Sequence, residues 1–289
     1  MEPCTLCPRR CAVDRSAGLG FCRSPAGFRV VRIALHLWEE PVLAGEKGAG
    51  AVFFAGCNLR CVYCQNRAVS RGDAGRELSA EELHERILDL QDQGAACIDL
   101  VTPTHYSDAL IPVLRDLRPR LRIPVVYNCG GYESVDALRR LEGLIDVYLP
   151  DCKYRDGALS SALSSAPDYF PVCMAAIGEM LRQTGRPLRD GQGILRRGVL
   201  VRHLVLPGHR DDSAALLHEL AERFGTDAFL LSLMSQYTPE FAGDATDPAL
   251  HRRLTSFEYD SVLAVAQELG FDGFSQARSS ASASYTPDF

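Results

Sequence analysis

Lysine is almost missing: Lys47 and Lys153 are the only two among 31 basic residues in a chain of 289. In a sequence this biased towards arginine, a retained lysine marks a position suited to a compact, rotatable ammonium. No apolar run approaches the ~18 to 20 residues that a membrane span needs, which reads as a soluble protein with no membrane partner. Positive charge is not in excess, because the formal net charge is −6. With no basic stripe interleaved with aromatics, nucleic acid is excluded as a partner. No internal repeat of solenoid length shows, and no charged-then-apolar leader opens the chain. The reading is therefore a cytoplasmic protein, in which clustered cysteines bind metal in preference to forming disulfides.

Cysteine is what the chain has in abundance. There are 11, and Cys4, Cys7, Cys11, Cys22, Cys57, Cys61 and Cys64 fall in the first quarter. Cys97, Cys129, Cys152 and Cys173 are scattered singly and read as small buried hydrophobes. From about residue 50, β-rich runs at 51–55, 98–102, 124–128, 145–149, 198–206 and 229–234 alternate with amphipathic helical patterns. Ser79 and Glu82 form a capping-box pair, and Leu110, Ile111, Leu114 and Leu117 share one helical face. Further helices are expected over 134–141, 171–184, 213–224 and 256–269. The alternation predicts an α/β fold with a parallel sheet, either an incomplete barrel or a doubly wound sheet, with functional groups beyond the carboxyl ends of its strands.

Directly after the first of these strands stands Cys57-Asn58-Leu59-Arg60-Cys61-Val62-Tyr63-Cys64, a C-x3-C-x2-C triplet. Three thiolates on a cubane cluster leave one of its four irons open to a ligand that is not protein. A structural zinc site would call for a fourth ligand.

The triplet resembles the signature of radical S-adenosylmethionine (radical SAM) enzymes. The likeness extends over about residues 45 to 270 and is greatest to the activating enzymes of glycyl-radical proteins, such as the pyruvate formate-lyase activators. It implies a partial (β/α)6 TIM-like barrel, a 4Fe-4S cluster on Cys57, Cys61 and Cys64, and S-adenosylmethionine as cofactor. It also implies a reducing electron donor such as flavodoxin or ferredoxin, and a glycyl-radical protein as possible substrate. By the same resemblance Tyr63 lies near the adenine, although the residue alone reads equally as a core aromatic.

Two further motifs carry the likeness. Asp151-Cys152-Lys153 matches a D-x-K whose aspartate meets the cofactor ribose and whose lysine pairs with the methionyl carboxylate, roles that suit an acceptor and a point charge. Arg202-His203-Leu204-Val205-Leu206-Pro207-Gly208 is similar to the activators' R-H-x-V-x-P-G, which makes His203 a cofactor contact; Arg202 pairs with a carboxylate inside the barrel or lies exposed on the alternate face. The sequence departs from the activators after the second strand. Their G-G-E-P loop is replaced by Thr102-Pro103-Thr104-His105-Tyr106, so Thr102 and Thr104 are the candidates to accept from the cofactor's ammonium, and the substrate class is open. Asn128, at the next strand end, joins the candidate set.

Cys4, Cys7, Cys11 and Cys22 give four thiolates in a small N-terminal cysteine-rich metal-binding element, holding zinc as a clamp or a second iron–sulfur cluster. The chain thus divides into residues 1–45 (cysteine-rich element and connector), 46–272 (partial barrel) and 273–289 (a loosely ordered tail). The leading function is reductive cleavage of S-adenosylmethionine to a 5′-deoxyadenosyl radical, for which the resemblance implies a glycyl-radical partner as target. The alternatives are the same chemistry on a small molecule or peptide, and a non-catalytic zinc or iron–sulfur module.

Overall fold

In the computed structural model, which describes residues 3–243 and 245–275, each of the six expected strands is present. In chain order the elements are β1 (Phe28–His36), α1 (Pro41–Ala44), β2 (Ala49–Phe54), α2 (Arg67–Ser70), β3 (Arg76–Leu78), α3 (Ala80–Asp92), β4 (Ile98–Val101) and α4 (Ser107–Leu117). There follow β5 (Val125–Cys129), α5 (Val135–Arg140), β6 (Val147–Pro150), α6 (Gly157–Ser164), α7 (Tyr169–Thr184) and β7 (Leu188–Arg189). The last are β8 (Leu195–Leu204), α8 (Arg210–Phe224), β9 (Leu230–Met234), α9 (Ser256–Leu269) and β10 (Gly273–Ser275). The Ser79/Glu82 capping box opens α3, and Thr255 with Glu258 forms a second one at α9.

The strand order β10-β9-β8-β6-β5-β4-β2-β1-β3 decides between the two architectures left open by the sequence. From β2 to β10 neighbours pair in parallel and follow the chain without reversal. Right-handed crossovers in an unreversed order place every crossover helix on one face. A doubly wound sheet would need a reversal point. The result is an open, partial TIM-like barrel.

Alternation along the strands builds two interiors. Outward residues such as Val52, Leu100, Tyr127, Tyr148 and Val201 pack with helix residues including Leu83, Leu114 and Leu216 in the larger core. Inward residues Ala49, Cys97, Val126, Val147, Leu200 and Leu230 meet Val42 and Leu43 of α1, which plug the amino end of the barrel.

Two stretches differ from expectation. The connector before residue 46 contributes β1, antiparallel to β2, with a register shift between Val30 and Arg32. That irregularity, and arginines within the run, hide its alternation. The barrel also runs past residue 272, because β10 adds in parallel to β9. The rest of the expected tail lies outside the described residues.

The N-terminal cysteine-rich element is a tight loop resting on the carboxyl rim. Cys4 N–H donates to the Val13 carbonyl and Ala12 N–H to the Cys4 carbonyl, and Arg9 donates to the carbonyls of Asn58 and Ser164, each at 2.8 Å, and to that of Ser165. Arg15 reaches the carbonyls of Ser24, Pro25 and His105. Gly56 permits the approach: its φ is +90°, and a Cβ there would collide with Ser24 Oγ and the Cys22 carbonyl.

Candidate functional site

The inner face changes character one level above the apolar plug. Each parallel strand from β4 to β9 contributes one polar residue there or at its end: Asp99, Asn128, Asp151, Arg202 and Ser232. Asn128, Asp151 and Arg202 line a cavity of about 670 Å³ that is also lined by Glu39 and Glu40 from below and by Cys61, Tyr63, Cys64 and Lys153 from the rim, while Asp99 and Ser232 are buried behind it.

Hydrogen bonds tie this belt together. Arg202 donates Nε to Asp151 Oδ1 at 2.9 Å, Nη2 to Asn128 Oδ1 at 2.7 Å and Nη1 to Glu39 Oε1 at 3.4 Å. Lys153 Nζ stands 2.5 Å from Asp151 Oδ2. Burial opposes charge on Asp151, but Arg202 and Lys153 outweigh it and hold the carboxyl below its ordinary range. Burial likewise opposes the Lys153 ammonium, and Asp151 and the nearby Cys61 sulfur more than reverse that. Gly131, at φ +77°, lets the turn after β5 close on the Asp151 carbonyl, where any side chain would collide.

The loop after β2 brings Cys57, Cys61 and Cys64 to the rim. Leu59 N–H donates to Cys57 Sγ at 3.4 Å, and Ser164 Oγ donates to Cys61 Sγ at 2.9 Å. Ser164 is in turn bonded to Tyr154 at 2.7 Å, and Tyr154 to Tyr63 at 2.6 Å. Burial pushes the Cys57 thiol up to about 12 and raises Cys64, so as free thiols both keep their protons, and binding a metal would release them. Cys57 feels the charge of Cys61 and Cys64, and Cys64 feels that of Cys61. Yet among the described residues no three Cys, His, Asp or Glu side chains close on a single-ion position. A cubane takes each thiolate on a different iron, so its ligands stand farther apart than sulfurs around one ion. Three thiols gathered by one loop, with hydrogen-bond donors aimed at Cys57 and Cys61, are the donor set that a cluster takes.

In the N-terminal group Cys4 lies within the electrostatic reach of Cys11 and Cys22, and Cys7 within that of Cys4 and Cys22; among the described residues this group too closes on no single-ion position.

Other sequence candidates are placed apart from the cavity. His203 follows Arg202 on β8 and so points to the opposite face, where Nδ1 donates to the Cys152 carbonyl at 2.6 Å. Its Nε2 is buried without a partner, and burial lowers its pKa. Thr104 donates to Glu133 Oε1 at 2.7 Å, beside a Tyr127 bond to Oε2 at 3.1 Å. Thr102 sits between these regions at φ +59°, a left-handed conformation that is an outlier for a β-branched residue. It occupies the loop where the activators carry glycine. Tyr63, Asn128, Asp151 and Lys153 do share the cavity with Cys61 and Cys64. Asp99, Glu39 and Glu40 belong to no sequence motif. The available signal was a carboxylate inside the buried run Ile98-Asp99-Leu100-Val101, a cost that a strand does not bear without a purpose.

Comparison with known proteins agrees with this geometry. The radical SAM superfamily pattern matches residues 51–151, from β2 through the cysteine loop to Asp151. Over 278 residues, 93% of this chain and 75% of the relative, the sequence is 28% identical to a Methanocaldococcus jannaschii protein called "Uncharacterized protein MJ0674". Over 196 residues, 63% of this chain and 72% of the relative, it is 26% identical to the pyruvate formate-lyase-activating enzyme of Staphylococcus aureus. In structure it is similar to a radical SAM methyltransferase from Sphaerobacter thermophilus, with a TM-score of 0.53 and 16% identity over 79% of this chain and 66% of that one. At that identity the likeness is one of fold. Among the described residues no helix is long and apolar enough to cross a membrane.

Proposed function

The chain is a radical SAM superfamily enzyme, and from that premise we propose that Cys57, Cys61 and Cys64 hold a 4Fe-4S cluster beside bound S-adenosylmethionine, above a substrate lodged in the barrel cavity. When bound, this pair supplies a one-electron cleavage of the sulfonium and a 5′-deoxyadenosyl radical that abstracts hydrogen. One observation carries the reading: Cys61, Cys64, Tyr63, Asp151 and Lys153, which come from two separate motifs, line one cavity.

The chain's own residues then have distinct tasks. Lys153 keeps N–H donors for a carboxylate beyond the one it gives Asp151. Asp151 stays ionised between two cations and accepts from hydroxyls. Asn128 orients Arg202, and Tyr63 walls the cavity beneath the rim. Thr102, Thr104 and His203 shape the loops around the cofactor. The plug at the amino end closes the cavity below, which shields a reactive radical from that side.

A glycyl-radical protein as substrate, with a flavodoxin- or ferredoxin-type donor, is supported by the likeness to the Staphylococcus activating enzyme. A small molecule or peptide is the second reading, favoured by the charged belt and by a loop that lacks Gly-Gly-Glu. The N-terminal cysteines would serve as a structural metal clamp or an auxiliary cluster. The reducing cytoplasm is the setting in which such thiols persist.

The test is anaerobic protein assayed for iron, sulfide and reductant-dependent 5′-deoxyadenosine. A brown protein that forms the nucleoside, and loses the activity on Cys57→Ala, Cys61→Ala or Cys64→Ala, is the expected result. Colourless protein with two zinc ions per chain would make both cysteine groups a brace. A reducible cluster without cofactor cleavage would make the protein an electron carrier.

A further inference from the structure

A chain of hydroxyls runs from the cavity wall to one sulfur of the cysteine triplet. Ser164 Oγ stands 2.9 Å from Cys61 Sγ, Tyr154 Oη 2.7 Å from Ser164 Oγ, and Tyr63 Oη 2.6 Å from Tyr154 Oη. All four residues are buried. Each hydroxyl has one hydrogen to give, and a thiolate only accepts. With Ser164 donating to Cys61, Tyr154 must donate to Ser164, and Tyr63 to Tyr154. The three O–H groups therefore point in one direction, towards the sulfur. The surrounding structure holds them there. Val62 N–H donates to the Leu163 carbonyl at 2.9 Å, which sets the end of α6 against the cysteine loop, and Arg9 binds the carbonyls of Ser164 and Ser165. The Tyr154 ring packs edge-on against the rings of Tyr63 and Tyr169, at 6.5 and 5.4 Å between centroids.

We propose that Ser164, aligned by Tyr154 and Tyr63, is a positioning residue for the electron-transfer step: it acts through Cys61 and raises the reduction potential of the cluster. The inference rests on the reading of Cys57, Cys61 and Cys64 as a 4Fe-4S site and adds to it the residues that tune that site. A reduced cluster carries one more negative charge than an oxidised one, shared with its ligand sulfurs. A hydrogen bond aimed at such a sulfur favours the reduced form, and hydrogen bonding to the sulfurs is one of the means by which a protein sets the potential. Burial makes each bond electrostatically stronger than it would be in water, and hydroxyls in series polarise one another. The two tyrosines thus strengthen a donor that neither of them touches the sulfur to provide. One electron enters from the external reductant, no proton is transferred, and no bond to the protein forms or breaks.

The experiment is a potentiometric titration of anaerobic, cluster-loaded full-length protein with titanium(III) citrate, followed by EPR of the reduced cluster, with iron and sulfide measured on every sample. Ser164→Ala should shift the ratio of reduced to oxidised cluster at a fixed potential about tenfold towards oxidised, which is a fall of about 59 mV for one electron. Tyr154→Phe, which leaves the serine in place, should give a smaller fall in the same direction, and Tyr63→Phe a smaller one again. The control is Ser160→Ala, which removes another buried hydroxyl of α6, one that donates to the Gly157 carbonyl at 3.1 Å, and it should titrate with the parent. A Ser164→Ala cluster that titrates with the parent, or a Ser160→Ala cluster that falls as far, overturns the relay. Where Ser164→Ala takes up too little iron to titrate, Tyr154→Phe decides: a lowered potential upholds the relay and an unchanged one overturns it. A parent that takes up no iron overturns the cluster reading and the relay with it, whereas a parent cluster indifferent to Ser164 removes the relay alone.

Discussion

The two cysteine groups are alike in sequence and unlike in setting. Cys57, Cys61 and Cys64 grow out of a strand end, and Cys61 and Cys64 line a cavity that a belt of buried charges also lines. Cys4, Cys7, Cys11 and Cys22 ride on a loop laid over the rim, with Cys7 and Cys22 buried and Cys11 exposed. That loop is fastened to the barrel by two arginines on backbone carbonyls, and Arg10, Ala12 and Arg23 within it hold positive φ. Spacing alone marks both as metal sites. What separates them is whether neighbouring groups give the metal something to act on.

The largest expected effect breaks the comparison most sharply. Cys61→Ala should lower 5′-deoxyadenosine formation by at least about a thousandfold, the scale on which loss of an essential group is felt. Cys4→Ala should leave a readily measured rate. Iron per chain, measured alongside, tells whether the rim loop holds iron of its own. Equal losses in both variants would show the two groups to be one functional unit.

The belt beneath the loop supplies the next contrast. Arg202→Met strips Asp151 and Glu39 of their shared guanidinium inside the barrel, and uncompensated buried charge of this kind costs about 3–5 kcal/mol. Denaturant unfolding should show that loss for Arg202→Met and not for Arg155→Met, whose partner Glu219 is on the surface. A loss under about 1 kcal/mol would mean that water reaches the belt.

Much of this architecture was legible in the sequence, because it follows from local chemistry. The capping pair at Ser79, the strand-end cysteines and the lysine of the D-x-K motif are each set by neighbours within a few positions. The sheet's openness was not, since it depends on strand order. Nor was the direction in which β8 turns Arg202 inward and His203 outward, which one residue of register decides. Glu39 stayed hidden for a different reason: it enters the cavity from a segment that reads as a linker, 163 positions from Arg202. Thr102 shows a third limit, a left-handed backbone at a residue type that gives no sign of it.

Glu133 lies at the seam between the two regions, bonded to Thr104 and Tyr127 and close enough to add to the charge felt by Cys7. Burial lifts its pKa from 4.5 to about 7. Between those values the folded protein holds a proton that the unfolded chain releases, so stability falls as pH rises through the window, by up to about 3 kcal/mol. Glu133→Gln cannot lose that proton. It should melt higher than the parent at pH 8 and close to it at pH 4.5. A difference that does not change with pH would place solvent at the seam and separate the regions there.

The smallest effect tests whether the rim loop merely rests on the barrel. Arg9 spans Asn58 in the cysteine loop and Ser164–Ser165 at the end of α6, and its guanidinium lies over Phe21 and Tyr132. Arg9→Ala removes donors from carbonyls that can rehydrate, so the cost to stability should be only about 1–2 kcal/mol. The effect should be local, because Ser164 is also the residue whose hydroxyl donates to Cys61. Hydrogen exchange should quicken in residues 3–27 and at the end of α6, with the rest of the barrel unchanged. If the cluster then loses iron faster on exposure to chelator, the rim loop governs the metal site through one arginine. If iron loss keeps its rate while the loop exchanges faster, the cysteine triplet is held by the barrel alone.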